Sequence, residues 1–245
     1  MSDIIKTRAI VLRKIDFGDT SRIAHFFTED FGKLSLMIKG ARSPKSKIGL
    51  IIDTMNIVEV VFYKKETSDL HLANQVDLLQ HFPNTRDDLD KYKYALAIVE
   101  LLSVLTVENE QHKKLFEGSV KMLSLINSSD ENPKILFTKF LFFFIKEIGY
   151  EFQLEHCNVC NRKIQPGRSA SYNYETGLMC SDCSEDRLTN FNFNEELFNL
   201  LICLNSKKNE IIYKQKDLDQ IIIMLEKFLS YHVIEFKGIK SLRLT

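Results

Sequence analysis

Two Cys-x-x-Cys pairs, Cys157/Cys160 and Cys180/Cys183, constrain the fold of this 245-residue chain more than any other feature of its sequence. Each pair bends the chain into a tight knuckle in which two sulfur atoms can face one ion. Four thiolates at this spacing are typical of a single tetrahedral zinc site. The sequence therefore predicts one bound Zn²⁺ with these four cysteines as its ligands.

The segment between the two pairs has the composition of a zinc ribbon. Pro166, Gly167 and Gly177 are turn formers, and a short strand-like stretch lies among them at residues 170–174. A closed set of four cysteine ligands leaves no coordination position for water or substrate, so the ion is expected to brace the fold. We assign residues 155–190 to this ribbon.

Three other interpretations of the cysteines remain open from the sequence: two disulfides, a redox-active pair and a chance arrangement. Disulfides need an oxidising compartment, and residues 1–15 carry charges where a signal peptide needs an unbroken apolar run. A thioredoxin-like motif would have one Cys-x-x-Cys beside a βαβ pattern, which is not the pattern here. These points favour zinc and a cytoplasmic protein. The fifth cysteine, Cys203, lies in an apolar stretch and is expected to be buried.

The sequence also argues against several classes of function. The most apolar run, residues 135–145, contains Lys139 and is about half of the ~20 residues that a membrane-spanning helix needs. The sequence has no Gly-x4-Gly-Lys, Gly-x-Gly-x-x-Gly, Gly-x-Ser-x-Gly or His-Glu-x-x-His motif. The deaminase signature is missing as well, because Met179 and not proline precedes Cys180. We therefore expect a protein that is neither an enzyme nor inserted in a membrane.

The charge of the chain is unevenly distributed. Basic and acidic side chains number 33 each, so the whole chain has no net charge. Residues 1–50 nevertheless contain ten basic and five acidic side chains, and all charged side chains of residues 31–50 are basic. Such a block is either a solvated loop or a surface that follows a phosphate backbone.

The first eighty residues have the alternating pattern of β-strands. Apolar and polar side chains alternate around Ile10, Leu34–Ile38 and Val58–Phe62, and residues 22–28 and 70–74 are further candidates. Five short strands without helix-length insertions predict a small closed antiparallel barrel of the oligonucleotide/oligosaccharide-binding (OB) type.

The third strand and the loop after it are where we predict that nucleic acid binds. The pleat places Lys33, Ser35, Met37 and Lys39 on the face opposite the leucines, and residues 40–49 continue the positive charge. A surface strand followed by a hairpin loop would have the same pattern. Most aromatic residues of the barrel are needed for its core, so we expect phosphate contacts to dominate binding. The aromatic candidates for stacking on bases are Phe17, Phe26, Phe27, Phe31, Phe62 and Tyr63.

The pattern becomes helical after residue 82, and the predicted fold class is α+β. An OB-type barrel is assigned to residues 1–80 and an α-helical domain, with the ribbon embedded in it, to residues 81–245. The first helix is expected to have its N-cap at Asn84 or Thr85. The tail at residues 237–245 is expected to fray or to make a minor contact. Further helices are predicted at residues 112–126, 133–149, 194–205 and 217–236.

The order of these parts and several local motifs resemble the RecO family of bacterial DNA repair and recombination proteins. In the cysteine region, Ile148-Gly149-Tyr150 before Cys157 and Gly177 before Cys180 are similar to that family. The resemblance spans the chain, although the middle helices are similar only in being helical and share no short motif with the family. The segments that look like the family's opening motifs are Thr7–Leu12, Phe17–Ile23, Thr28–Ser35 and Lys39–Ser46.

The resemblance implies a recombination mediator that binds single- and double-stranded DNA, anneals complementary strands and helps to load RecA. The partners that it implies are RecR, the C-terminal tail of the single-strand binding protein and in some cases RecF, at the nucleoid of a bacterial cell. Zinc carries over to the four cysteines, and because some members of the family lack them, the metal cannot be what the activity requires. DNA contact carries over only to basic positions in or beside the matching motifs, namely Arg13, Arg22, Lys33, Lys39, Arg42, Lys45 and Lys47.

The main alternative is a barrel-plus-ribbon factor that binds RNA in transcription or ribosome function. A barrel face that contacts mainly the nucleic-acid backbone does not by itself distinguish the two sugars. Competition binding between DNA and RNA of one sequence would separate the two hypotheses.

Overall fold

The computed structural model describes residues 3–64, 68–206 and 213–244. The chain forms two compact units, residues 1–137 with 239–245, and residues 138–238.

Five strands form a closed barrel in the first unit, in the order β1-β2-β3-β5-β4. Neighbouring strands are antiparallel except for β3 and β5, whose parallel pairing closes the barrel. The predicted α+β fold with a five-stranded OB-type barrel is confirmed, except that the β3–β5 pairing is parallel and not antiparallel as expected. The strands are β1 (Asp3–Phe17), β2 (Ser21–Thr28), β3 (Gly32–Ile38), β4 (Ile57–Lys64) and β5 (Leu70–Gln80).

The barrel core is built from the apolar side of each strand. Phe26, Leu36 and Phe62 are fully buried inside it. The loop between β3 and β4 contains a short helix, α1 (Ile48–Ile51). Ile52, the residue after this helix, is buried in the same core. This loop is therefore packed against the barrel and is not a freely solvated hairpin.

A β-bulge reverses the two faces of β1. Val11 pairs with Phe26 whereas Arg13 pairs with His25, so β1 contains one extra residue at this point. Because successive side chains point to opposite faces, odd-numbered residues face the core before the bulge and the outside after it. The outward-facing residues after the bulge are Arg13, Ile15 and Phe17.

Three helices follow the barrel in the first unit: α2 (Pro83–Asp87), α3 (Leu89–Leu105) and α4 (Lys113–Ser128). A fourth, α5 (Pro133–Glu147), contributes residues to both units. The predicted N-cap at Asn84 or Thr85 is wrong. Pro83 opens the separate short helix α2, and Asp88 caps α3 by accepting a hydrogen bond from the Lys91 backbone N–H at 3.0 Å.

The C-terminal tail is held against α3, which contradicts the expectation that it frays or makes only a minor contact. Ile239 is fully buried, and a 3₁₀ turn follows at Lys240–Arg243. The Glu100 carboxylate accepts hydrogen bonds from the backbone N–H groups of Lys240 and Ser241, both at 2.8 Å, and from the Ser241 hydroxyl at 2.6 Å. One acidic side chain thus satisfies the first donors of the turn.

The second unit contains a small sheet and two longer helices. Strands β6 (Ala170–Asn173), β7 (Gly177–Cys180) and β8 (Phe191–Phe193) pair in the order β7-β6-β8, which confirms the strand predicted at residues 170–174. A short α6 (Ser181–Ser184) is followed by α7 (Glu195–Asn205) and α8 (Gln215–His232). Helix α8 ends four residues earlier than predicted, and α7 matches its prediction with Asn194 as the N-cap.

Among the residues that the structure describes, no helix is both long enough and apolar enough to cross a membrane.

We predict that Glu100→Ala lowers the free energy of unfolding by about 2 kcal/mol, because two backbone donors and one hydroxyl lose a charged acceptor. Urea unfolding monitored by circular dichroism measures this change. Asp90→Asn is the matched control on the same helix. Its exposed carboxylate makes an ion pair with Lys93, and removing its charge should cost less than about 0.5 kcal/mol. Equal losses in the two variants would contradict the assignment of Glu100 as the tail anchor.

Candidate nucleic-acid interface and metal site

Near the β1–β2 turn, the outward sides of β1, β2 and β3 form one surface, which we call the outer face; farther along β2, Phe27 is buried against Phe116 of α4. The strand register aligns its side chains in rows across the three strands. The middle row is apolar and consists of Ile15, Ile23 and Met37. It is flanked toward the β1–β2 turn by Phe17, which pairs with Ser21.

The row on the other side of the apolar one is polar. Arg13 pairs with His25 and His25 pairs with Ser35, whose hydroxyl lies 2.8 Å from His25 Nδ1. Burial and the nearby Arg13 charge lower the pKa of His25, so its imidazole is neutral at neutral pH. The positive charge of this row therefore resides on Arg13.

Lys33 lies next to this row but is used inside the protein. Its ammonium group donates a hydrogen bond to the Ser103 carbonyl at 2.8 Å, and burial lowers its pKa. Glu108 lies close enough to oppose part of that shift. Lys33 therefore connects the barrel to the end of α3, and its ammonium group is less available to a ligand than those of exposed lysines.

The β1–β2 and β3–β4 loops are joined by a pair of arginines around Asp16. Arg22 Nε lies 2.9 Å from one carboxylate oxygen of Asp16, and Arg42 Nε lies 3.4 Å from the other. The hydrogen bond from Arg22 and the charge of Arg42 hold the pKa of Asp16 below its ordinary value. Arg42 also donates to the Gly18 carbonyl at 2.6 Å, and its backbone N–H donates to the Thr20 carbonyl at 2.9 Å.

Gly49 is a second anchor of the long loop. Its carbonyl accepts a hydrogen bond from Arg22 at 3.2 Å, and a Cβ atom at this position would lie 2.5 Å from the Ala41 carbonyl oxygen. Only glycine allows so close an approach. The loop is thus fixed against the open end of the barrel.

Two cationic residues near the loop were missed by the sequence reasoning. Lys14 and Arg86 both pair with Asp53, at 3.0 Å and 2.9 Å. Burial raises the pKa of Asp53, but the hydrogen bond from Lys14 and the Arg86 charge outweigh it, so the pKa lies below its ordinary value. Arg86 lies outside the matching motifs, and no sequence signal relates it to the barrel.

The seven predicted DNA contacts divide into groups of different availability. Arg22 and Arg42 are partly neutralised by Asp16, and Lys33 is directed toward Ser103. The rest are exposed, and within the described parts of the chain no side-chain hydrogen bond or ion pair is found for them. These four residues are Arg13, Lys39, Lys45 and Lys47.

The four cysteines predicted as metal ligands lie together in the second unit. Their Sγ atoms are all within 4.8 Å of one another, and those of Cys160 and Cys180 are 3.8 Å apart. Sulfur atoms placed tetrahedrally at ~2.3 Å from an ion are about 3.8 Å apart, so the cluster has the size that a tetrahedral metal needs. The cluster can hold one metal ion.

The first knuckle is shaped by backbone hydrogen bonds. The backbone N–H of Cys157 donates to the Arg162 carbonyl at 2.9 Å, and that of Asn161 donates to the Cys157 carbonyl at 2.8 Å. Asn161 adopts a left-handed conformation with φ of 57°, which lets the chain reverse after Cys160. The second pair begins at the last residue of β7, so the small sheet positions it.

Arg162 and the crowding of sulfurs determine the charge of the cluster. Arg162 donates to Cys160 Sγ at 3.3 Å, and this hydrogen bond lowers the pKa of that thiol to about 6. Loss of hydration and the hydrogen bonds that its S–H donates to neighbouring cysteines raise the pKa of Cys183 to about 12. Four thiolates at this separation repel one another unless a cation lies among them, which is the condition for metal binding. Cys203 is half-buried on α7 and lies outside the cluster.

A cleft of about 420 Å³ opens in the second unit between α5, the segment after it and the end of α7. Its apolar wall is aromatic and its rim carries two lysines, Lys139 and Lys146, and one acid, Glu151. No short motif in the sequence indicates this cleft. The aromatic lining residues are Phe142, Phe143, Tyr150 and Phe152.

A closed five-stranded barrel with a cationic and partly apolar outer face, followed by helices, defines an OB-fold protein with an embedded tetracysteine cluster that could hold a metal ion. Residues 1–82 match the family model for the N-terminal part of recombination protein O, and residues 86–243 match the model for its C-terminal part. The chain belongs to the RecO family of DNA repair proteins.

Individual relatives agree with this assignment. The DNA repair protein RecO of Prosthecochloris aestuarii is 33% identical over 167 residues, which cover 68% of this chain and 63% of that protein. The RecO protein of a Chlorobium phaeobacteroides strain is 28% identical in an alignment of 253 positions that covers 98% of this chain and 96% of the relative. The match to the RecO protein of Salinibacter ruber is shorter, with 38% identity over 127 residues that cover 52% of this chain and 49% of that protein. The first of these matches thus spans under two thirds of its relative, whereas the second spans nearly all of it.

We predict that the double variant Cys157→Ser and Cys160→Ser loses its bound metal and at least about 4 kcal/mol of unfolding free energy in the second unit, because metal binding there is coupled to folding. Elemental analysis of the purified protein and urea unfolding measure the two effects. Cys203→Ser is the control, since this cysteine lies outside the cluster. A double variant that retains one equivalent of metal would contradict the ligand assignment.

Proposed function

We propose that this protein is a non-enzymatic DNA repair and recombination mediator that binds single- and double-stranded DNA on its barrel and anneals complementary strands. Its place in the RecO family supports a role in DNA repair. The observation that carries the proposal is the outer face of the barrel, an apolar row next to exposed cations. Residues 1–80 would act as the DNA-binding domain, and residues 81–245, with the ribbon at 155–190, would hold partners.

Phosphate contacts are expected to supply most of the binding energy. Lys39, Lys45 and Lys47 are exposed on the β3–β4 loop, and Arg13 is exposed on β1. Flexible ammonium groups neutralise phosphates without reading base edges. The loop carries Asp53, but Lys14 and Arg86 pair with it, so that acid repels DNA less than a free carboxylate would. Binding should therefore show little sequence preference and a steep dependence on salt.

Strand annealing follows from the same surface. Two complementary strands repel each other through their phosphates, and cations that bind one backbone lower this repulsion. The anchored loops keep the cations in place, because Arg42 and Gly49 connect the long loop to the barrel. The protein would thus bring two strands together without any chemical step.

We predict that the triple variant Lys39→Glu, Lys45→Glu and Lys47→Glu weakens DNA binding and slows annealing. The slope of log affinity against log salt should flatten by about 2 for single strands, since each lost phosphate contact contributes about 0.7. The melting temperature should stay nearly unchanged, because these side chains make no hydrogen bond or ion pair with the described residues. Fluorescence annealing and anisotropy titrations at several salt concentrations measure these effects.

The matched control is a second triple variant with the same change in charge, Lys121→Glu, Lys216→Glu and Lys227→Glu. These lysines are exposed on α4 and α8 and belong to none of the strands or loops of the outer face. If both triple variants reduce annealing equally, the effect reflects net charge alone and the proposed interface is wrong.

We propose that the metal is Zn²⁺ and that it stabilises the ribbon. Four cysteine ligands in tetrahedral arrangement favour zinc and leave no position for a substrate. No residue of the cluster is placed to act on DNA in this proposal. The zinc would hold the second unit in its folded form.

We propose that the aromatic cleft of the second unit binds the C-terminal tail of the single-strand binding protein, and that RecR and in some cases RecF join the complex that loads RecA. The cleft offers an apolar wall of aromatic rings and two lysines at its rim. A peptide end that combines an apolar side chain with a free carboxylate fits this combination. The barrel and the cleft would then bind DNA and its coating protein separately.

We predict that Lys146→Glu weakens binding of the tail peptide by at least about 5-fold, because a cation at the rim is replaced by an anion. Fluorescence anisotropy with a labelled peptide measures the affinity. Lys227→Glu on α8 has the same charge change outside the cleft and should stay within about 2-fold of the unaltered protein. A peptide with an amidated C-terminus should bind weakly to all three proteins. Equal affinities for the free and amidated peptides would contradict this placement.

A further inference from the structure

Phe17 is the last residue of β1, and its ring lies on the surface at the tip of the β1–β2 hairpin. The side chain is 49% exposed, and Gly18 turns the chain directly after it with φ of 57°. The structure gives no ring contact for Phe17 among the residues that it describes. A large apolar ring in this position contributes little to the core of the barrel.

The other aromatic candidates of the barrel are occupied by packing. Phe26, Phe27 and Phe62 are fully buried. Phe31 is half-buried, packs edge-on against Phe62 at 6.2 Å and lies under the Lys64 ammonium at 4.8 Å. Tyr63 on β4 is also half-buried, so Phe17 is the one member of the group whose side chain is exposed.

The tip that carries Phe17 is held in place from the opposite side of the hairpin. Asp16 points to that side and pairs with Arg22 and Arg42, and Arg42 also binds the Gly18 carbonyl. A ring on a tip fixed in this way is ordered before a ligand arrives, which reduces the entropy that binding costs.

We propose that Phe17 is a base-stacking residue that makes the outer face selective for unpaired bases. The inference rests on the proposed DNA binding and adds a second kind of contact to it. An aromatic ring stacks on any base without reading its identity. The apolar row of Ile15, Ile23 and Met37 continues the surface away from the ring.

Selectivity for single strands follows from the access that stacking requires. A base inside a duplex is covered on both faces by its neighbours, so the ring has no free base to contact. A single strand, a frayed end or the junction of an annealing intermediate has a base with a free face that the ring can contact. Phe17 would therefore strengthen binding to unpaired strands and release them as pairs form, while the lysines bind both forms.

The first test compares Phe17→Ala with Leu89→Ala on three ligands: a single strand, its duplex and an abasic strand of equal length. Phe17→Ala should weaken binding to the base-containing single strand about 5- to 100-fold and leave duplex and abasic binding within about 2-fold. Leu89 is 62% exposed at the start of α3, is not part of the outer face and is not aromatic. Leu89→Ala should therefore stay within about 2-fold for all three ligands.

The second test uses the absence of tryptophan from this chain. Phe17→Trp introduces a single tryptophan at the tip, and its fluorescence should be quenched by the base-containing strand but not by the abasic strand. Tyr231→Trp provides the control, because Tyr231 is 53% exposed on α8 in the second unit. Its fluorescence should not respond to either strand.

The outcomes separate this inference from the proposed function. If the triple lysine variant loses DNA binding while Phe17→Ala binds every ligand normally, phosphate binding holds and base stacking is wrong. If neither set of changes affects binding, the outer face is not the DNA interface and both ideas fail. Loss of single-strand affinity in Phe17→Ala, together with quenching in Phe17→Trp, supports stacking.

Discussion

The β-bulge between Val11 and Arg13 is the constraint on which the candidate interface depends. Before the bulge, β1 directs its odd-numbered side chains into the barrel core. An uninterrupted strand would send Ile15 and Phe17 the same way, and Asp16 would point to solvent. The extra residue exchanges the two faces. It places a phenylalanine outside and an acid beside the arginines that hold the two loops together.

Charge pairing then divides the basic residues into two sets, those paired with an aspartate and those that remain exposed. Asp16 and Asp53 bind four of the cations around the loop, and these pairs fix the backbone of the loop. Lys39, Lys45 and Lys47 remain exposed above that framework. A basic segment that looks uniform in sequence is thus partly structural and partly available to phosphate. Paired arginines retain some attraction for DNA, but ligand binding must compete with contacts already made.

The barrel and the cysteine cluster were predictable because local patterns specify both. Alternation of apolar residues identified the strands, and the spacing of the two Cys-x-x-Cys pairs brought four sulfurs together within 4.8 Å. The tail and the first helix were not predicted correctly. Glu100 and Lys240 are far apart in sequence, and the choice of Asp88 over Asn84 as a cap depends on the short helix that precedes it.

The sequence by itself determined the fold class, the four-cysteine cluster and the basic character of the β3–β4 region, since each depends on residue types at fixed short spacings. Only the tertiary structure decided which charges are free and which aromatic ring is exposed. The bulge position, the pairing of Lys14 and Arg86 with Asp53, and the aromatic cleft all require residues distant in the chain to meet. Such contacts arise from packing and have no periodic signature that a single sequence displays.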